Sequence, residues 1–79
     1  MITTHDYRGY VFTMIYQSRD PAYLIDFPDI PDIITSGSTL GAAFGNACEA
    51  LDLHLERLQK LGLPIPLSKH RLVVETVNG

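Results

Sequence analysis

The sequence has a single cysteine, Cys48, and no tryptophan. One thiol cannot close an intramolecular disulfide, which excludes a stapled secreted scaffold and a cysteine-ligated metal knot. Basic residues are scarce: six Lys and Arg against nine Asp and Glu leave a formal charge of −3. A stand-alone nucleic-acid module needs the opposite balance to neutralise phosphates, so direct DNA or RNA binding is disfavoured. Every mainly apolar run meets Asp or Pro well before the roughly 18 residues of a membrane span. The opening Met1-Ile2-Thr3-Thr4-His5-Asp6 has neither the basic start nor the apolar run of a signal peptide. Length is short as well. Seventy-nine residues make one domain, 1–79, that buries about 60 to 65% of its unfolded surface, enough for one thin core. A walled catalytic pocket in addition to that core does not fit. What is present, 46% apolar and 19% charged residues with four Tyr and three Phe, is the composition of a folded chain. The expectation is a small cytoplasmic domain with no membrane part.

Residues 1–9 are polar without clear period and read as a frayed lead-in. Tyr10, Phe12, Met14 and Tyr16 alternate with Val11, Thr13, Ile15 and Gln17, the period-2 pattern of a strand with apolar groups on both faces. Ser18-Arg19-Asp20-Pro21 breaks it, and Ala22–Phe27 returns as a second, antiparallel strand. Pro28-Asp29-Ile30-Pro31-Asp32 is a rigid acidic turn, and Ile33-Ile34-Thr35 a short third strand. Thr39 stands as a helix N-cap, Gly62 as the stop, with Pro64 and Pro66 beyond it. Between them Leu40, Phe44, Ala47, Leu51, Leu55, Leu58 and Leu61 recur at intervals of three and four. Gly41 and Gly45 weaken that helix, which suggests a close approach to the sheet on their side. Glu56 and Lys60 are spaced as a surface ion pair. Lys69–Val77 reads as a fourth strand. The predicted fold is α+β, a two-layer β-β-β-α-β domain with one long helix on a mainly antiparallel sheet. A single helix covers one sheet face, so apolar groups on the other are expected to be buried by a twin or a partner. Tyr10, Phe12, Tyr16 and Tyr23 are the aromatic candidates for a homodimer or homotetramer interface.

Chemistry-bearing patterns are weak. His5, His54 and His70 lack metal-ligand spacing, and no HExxH pattern is present. Asp26, Asp29 and Asp32 recur every third residue, but Pro28 and Pro31 exclude a helix there and a calcium loop lacks its Gly and Glu. They read as turn formers and as candidate acids facing a basic partner. Ser36-Gly37-Ser38-Thr39 falls far short of a phosphate-binding loop. Cys48 has no basic neighbour to activate it and reads as a small buried side chain. No serine has a His and Asp companion. No catalytic residue, metal or cofactor is expected, and the chain is not read as an enzyme.

Three segments taken together resemble a known family. They are Tyr23-Leu24-Ile25-Asp26-Phe27-Pro28-Asp29-Ile30-Pro31, then Thr35-Ser36-Gly37-Ser38-Thr39 before an alanine-rich helix, then Gly62-Leu63-Pro64-Ile65-Pro66. Their combination looks like the N-terminal domain of the HicB antitoxins, over roughly residues 8–68. The resemblance implies a partial ribonuclease-H-like fold that self-associates and neutralises a HicA-type toxin, a small basic protein that cleaves messenger RNA. Tyr23, Phe27 and Pro28 match the strand-and-turn signature, Thr35, Gly37 and Thr39 the turn and cap, and Pro64 and Pro66 the exit. The chain departs from the family pattern at Asp32, where Gly is usual, and at Gly41-Ala42-Ala43, where Glu-Glu-Ala is usual. The ten residues after Lys69 hold no DNA-binding segment of the family's kind. The alternative expectation is an orphan homo-oligomeric scaffold of the same type, with no toxin.

Overall fold

The computed structural model describes residues 2–71. Strands β1 (Ile2–Tyr7), β2 (Tyr10–Gln17), β3 (Ala22–Asp26) and β4 (Thr35–Gly37) form one antiparallel sheet in that spatial order, and helix α1 (Leu40–Leu61) lies on one face. The α+β class and the β2–β3 hairpin are as expected. The described order, β-β-β-β-α, has one strand more before the helix than the sequence pattern indicated.

That strand is β1, where a frayed lead-in was expected. It pairs with β2 along its whole length, from Ile2 opposite Ile15 to Tyr7 opposite Tyr10. The two-residue connection is a mirror-image turn: Arg8 has φ 53° and Gly9 φ 84°. Both central residues of such a turn need positive φ, and its twist matches that of the flanking strands. Arginine is an uncommon occupant of the first position, so the usual Asn-Gly or Asp-Gly signal is missing.

The third expected strand also moves. Ile33 and Ile34 precede β4 instead of forming it. The Ile30 N–H donates to the Phe27 carbonyl at 3.0 Å and the Ile33 N–H to the Ile30 carbonyl at 3.1 Å. These are two consecutive Pro-Asp turns, with Pro28 and Pro31 at the second position that a fixed φ suits. They carry Ile30 and Ile33 into the core and leave Ile34 91% exposed. Lys69–Arg71 are not in a strand, and the remainder of the expected last strand lies outside the described residues.

The helix ends are where the sequence puts them. Thr39 is extended and its hydroxyl accepts from the Ala42 N–H at 3.0 Å; Gly62, at φ 68°, closes the C-terminus by donating to Gln59. Its buried line, however, is Ala43, Ala47, Leu51 and Leu55. Of the others expected on the stripe, Leu61 is largely exposed, while Leu40 and Phe44 sit at its edge with 42% and 38% exposure, the Phe44 ring against Phe12 and His5. The small residues set the line because the helix approaches the sheet closely there. A Cβ on Gly37 would lie 2.3 Å from the Ala43 nitrogen, whereas Gly41 and Gly45 face open space. The close approach is made by the strand glycine, not by the helix glycines.

Residues opposite one another in the ladder share a face, and neighbours along a strand alternate. The helix-side face therefore carries Tyr10, Phe12, Met14, Tyr16, Tyr23 and Ile25. Tyr10, Phe12, Met14 and Ile25 form one core cluster with Phe27, Ile30, Ile33 and the helix line, Tyr23 packs against it, and Phe12, Phe27, Ile30 and Leu51 are essentially sealed within it. Each sealed side chain contributes about 1.5–3 kcal/mol by leaving water. No helix among the described residues is long and apolar enough to cross a membrane.

Candidate functional site

Away from the helix, the register writes the open sheet face as three rows. Ile2, Ile15 and Leu24 lie side by side across β1, β2 and β3, ending at Ser36 on β4. The next row is Thr4, Thr13 and Asp26, and the third is Asp6 beside Val11. One end of the face is thus apolar and the other acidic. No strand residue on it is Lys or Arg; Arg71, from the segment after the helix, stands with Asp6 and Val11 around a shallow depression at its acidic end. Ile2 and Leu24 are exposed and Val11 is buried. Carboxylates beside an apolar ladder suit a partner that brings bases and an apolar surface together.

The three aspartates of the turn separate in space. Asp26 is exposed on the open face and Asp32 is exposed beside the helix flank. Asp29 is committed elsewhere. Its side chain is only 4% exposed and accepts from the backbone N–H groups of Lys69 and His70, at 2.8 and 3.0 Å, and from His70 Nδ1 at 2.6 Å. The His70 backbone N–H, above all, holds this carboxyl below its ordinary range; the His70 ring and the Lys69 N–H add to it, and burial opposes them. A carboxylate that accepts several N–H bonds favours its ionised form. Asp29 therefore clasps the segment that follows the helix and is not presented to a partner. The same segment is held at the β1–β2 end by the Tyr10 hydroxyl donating to the Pro66 carbonyl and by Ser68 donating to the Gly9 carbonyl.

The other expected site residues have scaffold places. Tyr10 and Phe12, expected as interface anchors, are inside the core. They fall on the covered face because β2 puts its larger alternate set under the helix. Tyr16 keeps 41% exposure, and its ring meets the half-buried Tyr23 at 5.1 Å. Tyr23 lies opposite Gly37, and Thr35 opposite Ile25. Pro28 and Pro64 are exposed. His5 stacks on Phe12 and bonds Thr3 Oγ1 at 2.9 Å, and the Glu56–Lys60 pair forms at 3.0 Å.

One junction carried no signal in the sequence. Asp52 of the helix accepts from the Tyr7 hydroxyl and from Arg8, each at 2.9 Å, tying the first hairpin to the helix. The bond to Asp52 raises the Tyr7 hydroxyl above its ordinary value, with burial next. Partial burial, then Asp52, pushes the Cys48 thiol up and keeps it protonated. Among the described residues no three His, Cys, Asp or Glu side chains gather as a metal site would require. The chain matches no protein family, no curated protein and no solved structure.

Proposed function

We propose that this chain is a protein-binding domain of the HicB antitoxin type, whose occupant is a small basic, mRNA-cleaving toxin of the HicA kind. In this reading the fold is a ribonuclease-H-like variant, the domain acts in the cytoplasm, and it performs no catalysis itself. One observation carries it: the open sheet face joins the Ile2–Ile15–Leu24 ladder to Asp6 and Asp26 with no Lys or Arg among its strand residues, Arg71 of the segment after the helix standing beside Asp6, in a chain of net charge −3. Such a face draws a basic protein by long-range attraction and rewards it with apolar contact. Asp26 keeps the partner-facing role, Asp6 joins it, and Asp29 leaves the set.

The test is native mass spectrometry of the untagged protein from the cells that make it. A heteromeric complex with a basic protein of roughly domain size is expected. Lysine at both Asp6 and Asp26 should then slow association by about tenfold or more and reverse its salt dependence. Recovery of the chain with no basic partner would overturn the reading, as would a complex indifferent to both substitutions.

A further inference from the structure

The segment that follows the helix is basic in an acidic chain. Lys69-His70-Arg71 holds two of the six Lys and Arg, and the fold carries it to acids. The Lys69 and His70 backbone N–H groups and the His70 ring meet the buried Asp29 carboxylate, and Arg71 borders the same depression as Asp6. Ser68 lines that depression too, together with Val11. Among the strand residues of the open face Val11 alone is buried, at 7% exposure, whereas Ile2 and Leu24 keep 64% and 38%. Residues 63–71 therefore pass from the end of the helix onto the acidic end of that face and shield its third row. Asp29 makes most of the attachment. Every residue from Leu63 to Arg71 except the half-buried Pro66 is exposed, so the segment is held by a few hydrogen bonds more than by burial. Three of them go to Asp29; the others join Ser68 to the Gly9 carbonyl and Tyr10 to the Pro66 carbonyl. An element of this kind opens locally without unfolding the core.

We propose that residues 63–71 are an intramolecular cover for the acidic end of the open sheet face, latched by Asp29, and that a basic partner binds by displacing it. The cover has the chemistry of the occupant this face suits: Arg71 near Asp6 and Val11 brings a base and an apolar contact together. Opening withdraws Arg71 and uncovers Val11, which extends the free surface by its third row. The apparent affinity of the face is its own affinity reduced to the fraction of molecules that are open. The strength of the latch therefore tunes binding with no change to the face itself. The cover stands on these contacts alone; only the displacement rests on the reading of the face as a site for a basic protein.

Two measurements on the full chain test the two parts separately. Val11→Cys, in a chain that also carries Cys48→Ala, puts a thiol at the covered position, and its rate of modification by a soluble thiol reagent reads opening. Asp29→Ala should raise that rate about tenfold or more, with far-ultraviolet circular dichroism unchanged. Ser68→Ala, which removes only the Gly9 bond, should raise it less. Binding of a short alternating Arg-Leu peptide, followed by fluorescence anisotropy, reads the displacement. Asp29→Ala should tighten it about fivefold or more. Loss of one carboxylate would by itself weaken the attraction for a cationic peptide, so the sign separates release of the cover from a simple change of charge. A thiol modified at the same rate with and without the Asp29 side chain would overturn the cover and leave the reading of the face standing. A peptide bound by neither form would overturn that reading, and the displacement with it, but not the cover. A thiol freed by Asp29→Ala while peptide binding stays level or weakens would overturn the displacement alone.

Discussion

Gly37 shows how one residue can set the spacing of two layers. Its missing side chain lets the Ala43 backbone approach so closely that a Cβ would meet the helix nitrogen at 2.3 Å and the helix Cα at 2.5 Å. Both are backbone atoms that no rotamer change can move. Gly37→Ala should therefore destabilise the fold toward the upper end of the usual overpacking cost of about 1–3 kcal/mol. Gly41→Ala and Gly45→Ala have room and should each stabilise it by about 0.5–1 kcal/mol, since alanine is the better helix former. Urea unfolding of the three variants distinguishes the cases; equal effects at Gly37 and Gly41 would contradict the packing described. In sequence all three are glycines near a helix start, and nothing local separates them. Asp29 is comparable: its spacing from Asp26 and Asp32 suggested one acidic edge, but the chain after the helix returns to occupy it. Because its folded pKa lies below the unfolded value, its contribution is whole above about pH 4 and is lost as pH falls through the folded value. Asp29→Asn should be less stable than the wild type at neutral pH, with the gap closing in acid. Urea midpoints measured from neutral pH into strong acid check this, and a gap constant across that range would contradict it.

At the scale of elements, legibility followed how much of each signal was local. The helix was readable to its ends because a cap needs only a threonine that can accept and a glycine that can turn left-handed. Thr39→Ala should cost about 1 kcal/mol, read as a lower thermal midpoint with the folded helical signal kept; an unchanged midpoint would mean the Ala42 N–H finds another acceptor. Strands β2 and β3 were readable from period-2 alternation and the Pro21 break. Strand β1 was not, because half of its residues are polar and its turn uses Arg8 in place of the usual small residue. The turn from Phe27 to Ile33 looked like a bend followed by a strand. Two prolines placed three apart repeat the same turn instead, and β4 starts only at Thr35.

For the whole molecule, the class of the fold, its two layers and its acidic balance were contained in the sequence. Periodicity, capping and net charge are properties of neighbouring or summed residues and need no partner to be read. The tertiary structure alone decided which alternate set of β2 faces the helix, since a slip of one residue would exchange the two faces. That choice put Tyr10 and Phe12 in the core and left Asp6, Asp26 and the Ile2–Ile15–Leu24 ladder outside. It decided also that Asp29 is a clasp, that Asp52 joins hairpin to helix, and that Leu53 and Leu61 are outside the packed line. Each of these depends on residues far apart in the chain, up to 45 positions for Tyr7 and Asp52, meeting at distances that only the packing of the helix on the sheet determines.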